Sequence, residues 1–108
     1  MKNQMDMSEI NENHTFSYAL AEIQMNTSFR AARRGWNGKN MWVAVSPGYD
    51  LKPEQFFSSA GAEYAKESGG TAHVGECLIF KAADGIVEVG WRPTSRDMFA
   101  SDWVILVK

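Results

Sequence analysis

Two short stretches hold the side chains best suited to grip a small molecule. In the first, Arg33 and Arg34 precede Gly35-Trp36-Asn37-Gly38, and Lys39 follows. In the second, Trp91 and Arg92 lead through Pro93 to Thr94, Ser95 and Asp97. Indole faces beside cationic and hydroxyl groups suit a ligand that has both a base to stack and phosphates to neutralise. A carboxylate such as Asp97 can accept hydrogen bonds from sugar hydroxyls. A purely structural reading competes: the tryptophans fill the core, the arginines stand in water, and Ser95 and Asp97 cap a helical turn.

Reaction chemistry finds less support. A metal site needs several converging His, Cys or carboxylate ligands, and the soft candidates are His14, His73 and Cys77. His73 and Cys77 have no third companion at ligand spacing, so neither a metal nor a cofactor is expected. No nucleophile elbow stands ready for a His73 base, and neither GxGxxG nor a Walker loop is present. A phosphodiesterase or ring-opening hydrolase built on Asp97 or His73 would lack the metals or positioned acid–base pairs that phosphoester cleavage normally uses. Binding without catalysis is the expectation.

The chain has 108 residues, 44% of them apolar, which is room for one core and one domain. Its net charge is −2, and the basic residues are not gathered into one tract, so a nucleic-acid polymer is not an expected partner. Cys77 is the single cysteine; it cannot form an intrachain disulfide, and it reads as a small core hydrophobe. No apolar run approaches the length of a membrane span and the N-terminus lacks a signal-peptide core, which makes the cytoplasm the expected compartment. Four tryptophans in so short a chain favour an oligomer or an aromatic ligand site, because such rings are favoured where surfaces lose water on binding.

The elements that must position these groups follow from periodicity. Residues 1–14 are polar, show no stripe, and read as a mobile extension before one domain over 15–108. Thr15 caps a helix whose stripe is Phe16, Ala19, Leu20 and Ile23, ended by Asn26. Phe29 to Arg34 and Met41 to Val45 read as strands of a hairpin, with Asn37-Gly38 in its turn and Trp36, Asn37 and Lys39 displayed at its tip. Pro53 opens a helix over Lys52 to Ser68. Thr71 to Lys81 and Ile86 to Trp91 form a second hairpin across Asp84-Gly85, Ser95 caps a short helical turn, and Trp103 to Val107 is the last strand. The sum is an α+β fold, an antiparallel sheet of about five strands with one or two helices packed on one face.

Ala32-Arg33-Arg34-Gly35-Trp36-Asn37-Gly38-Lys39-Asn40-Met41 resembles the "AR-x-GWNGKGM" signature of a phage and prophage family that includes the second type of Thoeris anti-defence proteins. The later residues Lys81 to Gly85, Gly90-Trp91, Thr94 to Met98 and Ala100 to Val104 are similar to that family's "K-x-ADG…GW…S-x-x-DM-x-A-x-DW" ending. The resemblance implies a sponge: a protein that binds the cyclic ADP-ribose isomers made by TIR-domain defence enzymes and does not cleave them. It also implies homotetramers with pockets where two protomers meet, and in some members a separate site for cyclic dinucleotides. Carried over residue by residue, it points to Trp36 and Asn37, to Trp91, Thr94, Ser95 and Asp97, and, for phosphate charge, to Arg33 and Lys39. Such a protein works in the cytoplasm of the host bacterium.

This chain departs from the family at Tyr18, where relatives carry the Glu of a capping box, at Asn40, where the signature reads Gly, and at Arg92-Pro93, which replaces a more apolar pair. The competing class is a phage protein-interaction or structural module, in which Trp36 and Trp91 anchor a protein interface and no small molecule binds.

Overall fold

The stripe Phe16, Ala19, Leu20, Ile23 does form a helix. In the computed structural model, which describes residues 8–9 and 12–107, α1 spans Phe16–Met25. The Thr15 hydroxyl accepts from the Tyr18 amide (3.2 Å), and Asn26 closes the last turn through the Glu22 carbonyl (3.0 Å). With Tyr18 at the third helical position the reciprocal half of a capping box is absent, and one orphan amide is satisfied rather than two.

Among the described residues eight strands form two sheets. Strands β1 (Ser8–Glu9), β2 (Arg30–Arg33), β3 (Trp42–Ser46), β6 (Cys77–Lys81), β7 (Val87–Val89) and β8 (Trp103–Val107) make one antiparallel sheet in the order β1-β8-β2-β3-β6-β7. The register pairs Arg33 with Trp103, Ala31 with Val43, and Val43 with Phe80. Because paired residues share a face, Ala31, Val43, Val45, Trp103 and Ile105 point together, and α1 buries Ala19 and Ile23 against them. Trp103, Ile23 and Val43 are the largest fully buried side chains. Each contributes on the order of 1.5–3 kcal/mol in lost apolar exposure.

The chain divides into two compact units, 1–46 with 77–108, and 47–76. The second unit holds β4 (Tyr49–Leu51) paired with β5 (Ala72–Val74), a 3-10 turn at Pro53–Gln55 and α2 (Ser59–Glu67). Residues 1–7, 10 and 11 of the expected mobile extension lie outside the described residues. Ser8–Glu9 pairs with Leu106 and Val107, and His14 makes an isolated bridge to Trp103. Among the described residues no helix is long and apolar enough to cross a membrane.

Three expected elements take a different form. The helix expected over Lys52 to Ser68 is broken, because Phe56 leaves the 3-10 turn in an extended conformation and α2 restarts at its own cap, Ser58. The strand expected over Thr71 to Lys81 is two strands in two sheets, separated by Gly75-Glu76. The cap of the short helix α3 (Ser95–Phe99) is Thr94 rather than Ser95, since Asp97, three residues beyond Thr94, answers it in a capping box.

Candidate functional site

Trp36 was expected at the tip of a hairpin; the chain turns it inward instead. Arg34–Trp36 makes a 3-10 turn after β2, and the tip is left to Asn37 and Gly38, both at positive φ (56° and 70°). The Lys39 amide returns to the Trp36 carbonyl (3.3 Å). Two successive left-handed residues are the requirement of a type I′ turn, which Asn-Gly meets at least cost. Asn40 is left-handed as well (φ 58°), which gives the family's Gly at this position a physical reason; Asn is the side chain that best tolerates the same backbone.

Trp91 reaches the same face by a different device. The amides of Gly90 and Trp91 both donate to the Leu78 carbonyl (2.9 and 3.0 Å), so two residues oppose one. With Gly90 at φ 84° this is a β-bulge, which shifts the alternation by one and re-aims the next side chain. Without it, Trp91 would share the face of Val89. With it, Trp91 stacks on Phe80 (centroids 5.2 Å, interplanar angle 18°).

These two devices bring the rings together. Trp36 stands edge-on to Trp91 (6.5 Å), Phe80 (5.7 Å) and Trp103 (5.4 Å). Trp36 and Trp91 are half-buried, with one side of the cluster against the core. Edge-to-face pairing of this kind is favourable beyond simple burial and holds each ring at a fixed angle. Trp103 lies beneath, fully buried, its indole N–H donating to the Asp97 carbonyl (2.8 Å).

Beside the rings runs a polar network. The Arg33 guanidinium donates from Nε to Asp102 Oδ1 (2.9 Å) and from Nη1 to Asp97 Oδ1 (3.0 Å). Asp97 Oδ2 accepts from the Thr94 amide (3.0 Å) and the Thr94 hydroxyl (2.9 Å). Asp102 Oδ2 accepts from the Gly35 amide (2.9 Å). Asp97 is buried, 8% exposed. Burial alone would raise its pKa, but the Thr94 amide and hydroxyl and the Arg33 charge outweigh it and hold the carboxyl below its ordinary value. Burial acts against Asp102 in the same way, and the Arg33 and Gly35 donors again prevail, lowering its pKa. Hydrogen bonding to Asp102 raises the Arg33 pKa.

The structure thus joins Arg33, Thr94 and Asp97 in one network and Trp36 and Trp91 in one aromatic cluster, linked by the Trp103 indole. Asn37, Lys39 and Ser95 are exposed at the ends of the same turns. Sequence reasoning missed Asp102 and Phe80. An acid just before a strand that pairs with the strand of Arg33, and an aromatic alternating with Leu78 in β6, were the available signals. Among the described residues no group of three or more His, Cys, Asp or Glu could hold a metal ion.

Comparison with known proteins adds two findings. The family model of the Thoeris anti-defense 2-like domain matches residues 14–106. A protein of Bacillus phage SP01 described as Thoeris anti-defense 2 is 29% identical over 90 residues, covering 83% of this chain and 93% of that protein.

Proposed function

Because the chain belongs to the Thoeris anti-defense 2-like family, we propose that it counters Thoeris-type bacterial immunity by sequestering a cyclic ADP-ribose isomer without cleaving it. The observation that carries this reading is the pairing of half-buried Trp36 with Trp91 at 6.5 Å and 87°. Two indoles locked at right angles form a corner into which a base can stack, and stacking is worth about 1–3 kcal/mol per base. Asn37, Lys39 and Ser95 border the corner in sequence, with free polar groups for ribose and phosphate. Thr94, Arg33 and Asp97 spend hydrogen bonds on one another and frame the site.

A sponge needs no acid–base pair: affinity and stoichiometry suffice. The protein acts in the cytoplasm of the host bacterium as a homo-oligomer, a tetramer, and cyclic dinucleotides are a second class of ligand. A second reading, a phage protein-interaction module, draws on the aromatic side chains left in solvent, Phe57 at 82% and Phe99 at 87% exposure.

The deciding experiment mixes purified protein with a TIR-produced cyclic ADP-ribose isomer, filters away free ligand, heat-denatures the retained protein and chromatographs what it releases beside the input. Retention and release of unaltered ligand is the expected result. A changed product would make the protein an enzyme, and no retention would favour the interaction module.

A further inference from the structure

Arg33 faces two carboxylates, each of which holds a different aromatic segment. Asp102 fixes the turn before Trp36: its Oδ2 accepts from the Gly35 amide (2.9 Å) and its carbonyl accepts from the Arg34 amide (3.0 Å). The approach is close enough that a Cβ on Gly35 would lie 3.1 Å from Asp102 Oδ2 and 3.3 Å from Arg33 Nη2. Asp97 fixes the segment after Trp91: its Oδ2 receives both Thr94 donors, and its carbonyl receives the Trp103 indole. The guanidinium lies between them, 2.9 Å from one carboxylate and 3.0 Å from the other. Its side chain is 18% exposed, and that of Asp97 11%.

We propose that Arg33, Asp97 and Asp102 are positioning residues, a clamp that sets the angle between Trp36 and Trp91 and so shapes the ligand corner without touching the ligand. The inference rests on the binding reading above for its consequence, though not for its geometry. A planar guanidinium suits this task because its donors diverge in one fixed plane, so two carboxylates on it are held in fixed relation. A lysine would supply the charge without the fork. Each carboxylate in turn is tied to backbone, which converts the ion pairs into a constraint on the two segments carrying the rings. Three of the five guanidinium N–H groups are already aimed at the two carboxylates, which leaves two for any other partner.

The test uses the full-length protein and the near-isosteric variant Asp102→Asn, with Arg33→Lys as the second. Near-UV circular dichroism reads the packing of the indoles with no ligand present, and far-UV dichroism reports the fold. Both variants are expected to keep the far-UV spectrum and lose at least a third of the near-UV aromatic signal. Unchanged near-UV spectra in both would overturn the clamp, whatever the ligand proves to be.

Titration with a cyclic ADP-ribose isomer supplies the second arm. Affinity is expected to fall at least tenfold in each variant, and in Arg33→Lys, which conserves the charge, its dependence on ionic strength stays that of the parent. Arg33→Lys also separates positioning from direct charge contact: it keeps the charge without the fork, so parent affinity in that variant would overturn the positioning role. If the parent binds no such ligand, the binding reading fails, and the spectroscopic arm still decides the clamp.

Discussion

The two units of the chain are held together by different means. In the unit of residues 1–46 and 77–108, large side chains are buried: Trp103, Ile23 and Val43 are fully enclosed, and the Arg33 network ties residues 64 and 69 positions apart. In the unit of residues 47–76 the buried side chains are Ala65 and Ala72, while Tyr49, Phe57 and Tyr64 are exposed. Local devices hold the second unit. Ser58 caps α2 through the Gly61 amide (3.1 Å), the Lys52 amide donates to Gln55 Oε1 (2.7 Å), and Asp50 meets His73 across the β4–β5 pair (2.9 Å). Exposed interactions of this kind contribute little each, so the second unit is expected to open more readily than the first.

The sharpest way to test this contrast is to remove the centre of the first unit. Trp103→Ala deletes a fully buried ring that contacts Phe16 and Trp36, and should cost about 3–5 kcal/mol in urea unfolding. A loss under 1 kcal/mol would mean that the sheet does not depend on it.

Acid should act on the same unit. Asp97 and Asp102 have folded pKa values below the ordinary 3.8. The stability they supply is therefore fully present above the unfolded value and is lost as pH falls from about 4 through the folded values. Asp97→Asn should cost about 1.5–3 kcal/mol at pH 7, the range for hydrogen bonds to a charged group. The parent–variant gap should narrow below pH 4. A gap that widens on acidification would contradict the sign.

In the second unit Gly61 accommodates the Phe56 ring, and an added Cβ would meet Cε1 at 2.8 Å. Gly61→Ala should destabilise by about 1–3 kcal/mol through overpacking. Hydrogen exchange should speed up in residues 59–67 and stay unchanged in β3 and β8; equal acceleration in both would make the units one cooperative body. The smallest effect belongs to Phe57→Ser. At 82% exposure it should move stability by no more than about 0.5 kcal/mol, and any larger change would show that the ring is packed in solution.

Much of this architecture was written locally. The α1 stripe from Phe16 to Ile23, its Thr15 and Asn26 ends, the Asn37-Gly38 turn and the strand from Trp103 to Val107 all follow from nearest-neighbour chemistry. Each needs only a helical or alternating period, a cap, or a left-handed pair, and such signals lie within a few residues. The α+β class followed from them.

The candidate site was legible as a set of residues but not as an arrangement. Trp36 and Trp91 came from residue type and family resemblance, yet their meeting depends on a 3-10 turn and on a bulge opposite Leu78. Neither leaves a local signal stronger than a glycine. Arg33 read as a phosphate ligand, and only the pairing of β2 with β8 shows it facing Asp102 and Asp97. That register is a product of side chains distant in sequence choosing one face of one sheet, and a one-residue slip would reverse it. The sequence by itself therefore determined the elements and the chemistry they carry, because both are short-range. Which charges pair, and at what angle two indoles stand, was decided by tertiary structure, because those relations exist only once the strands are in register.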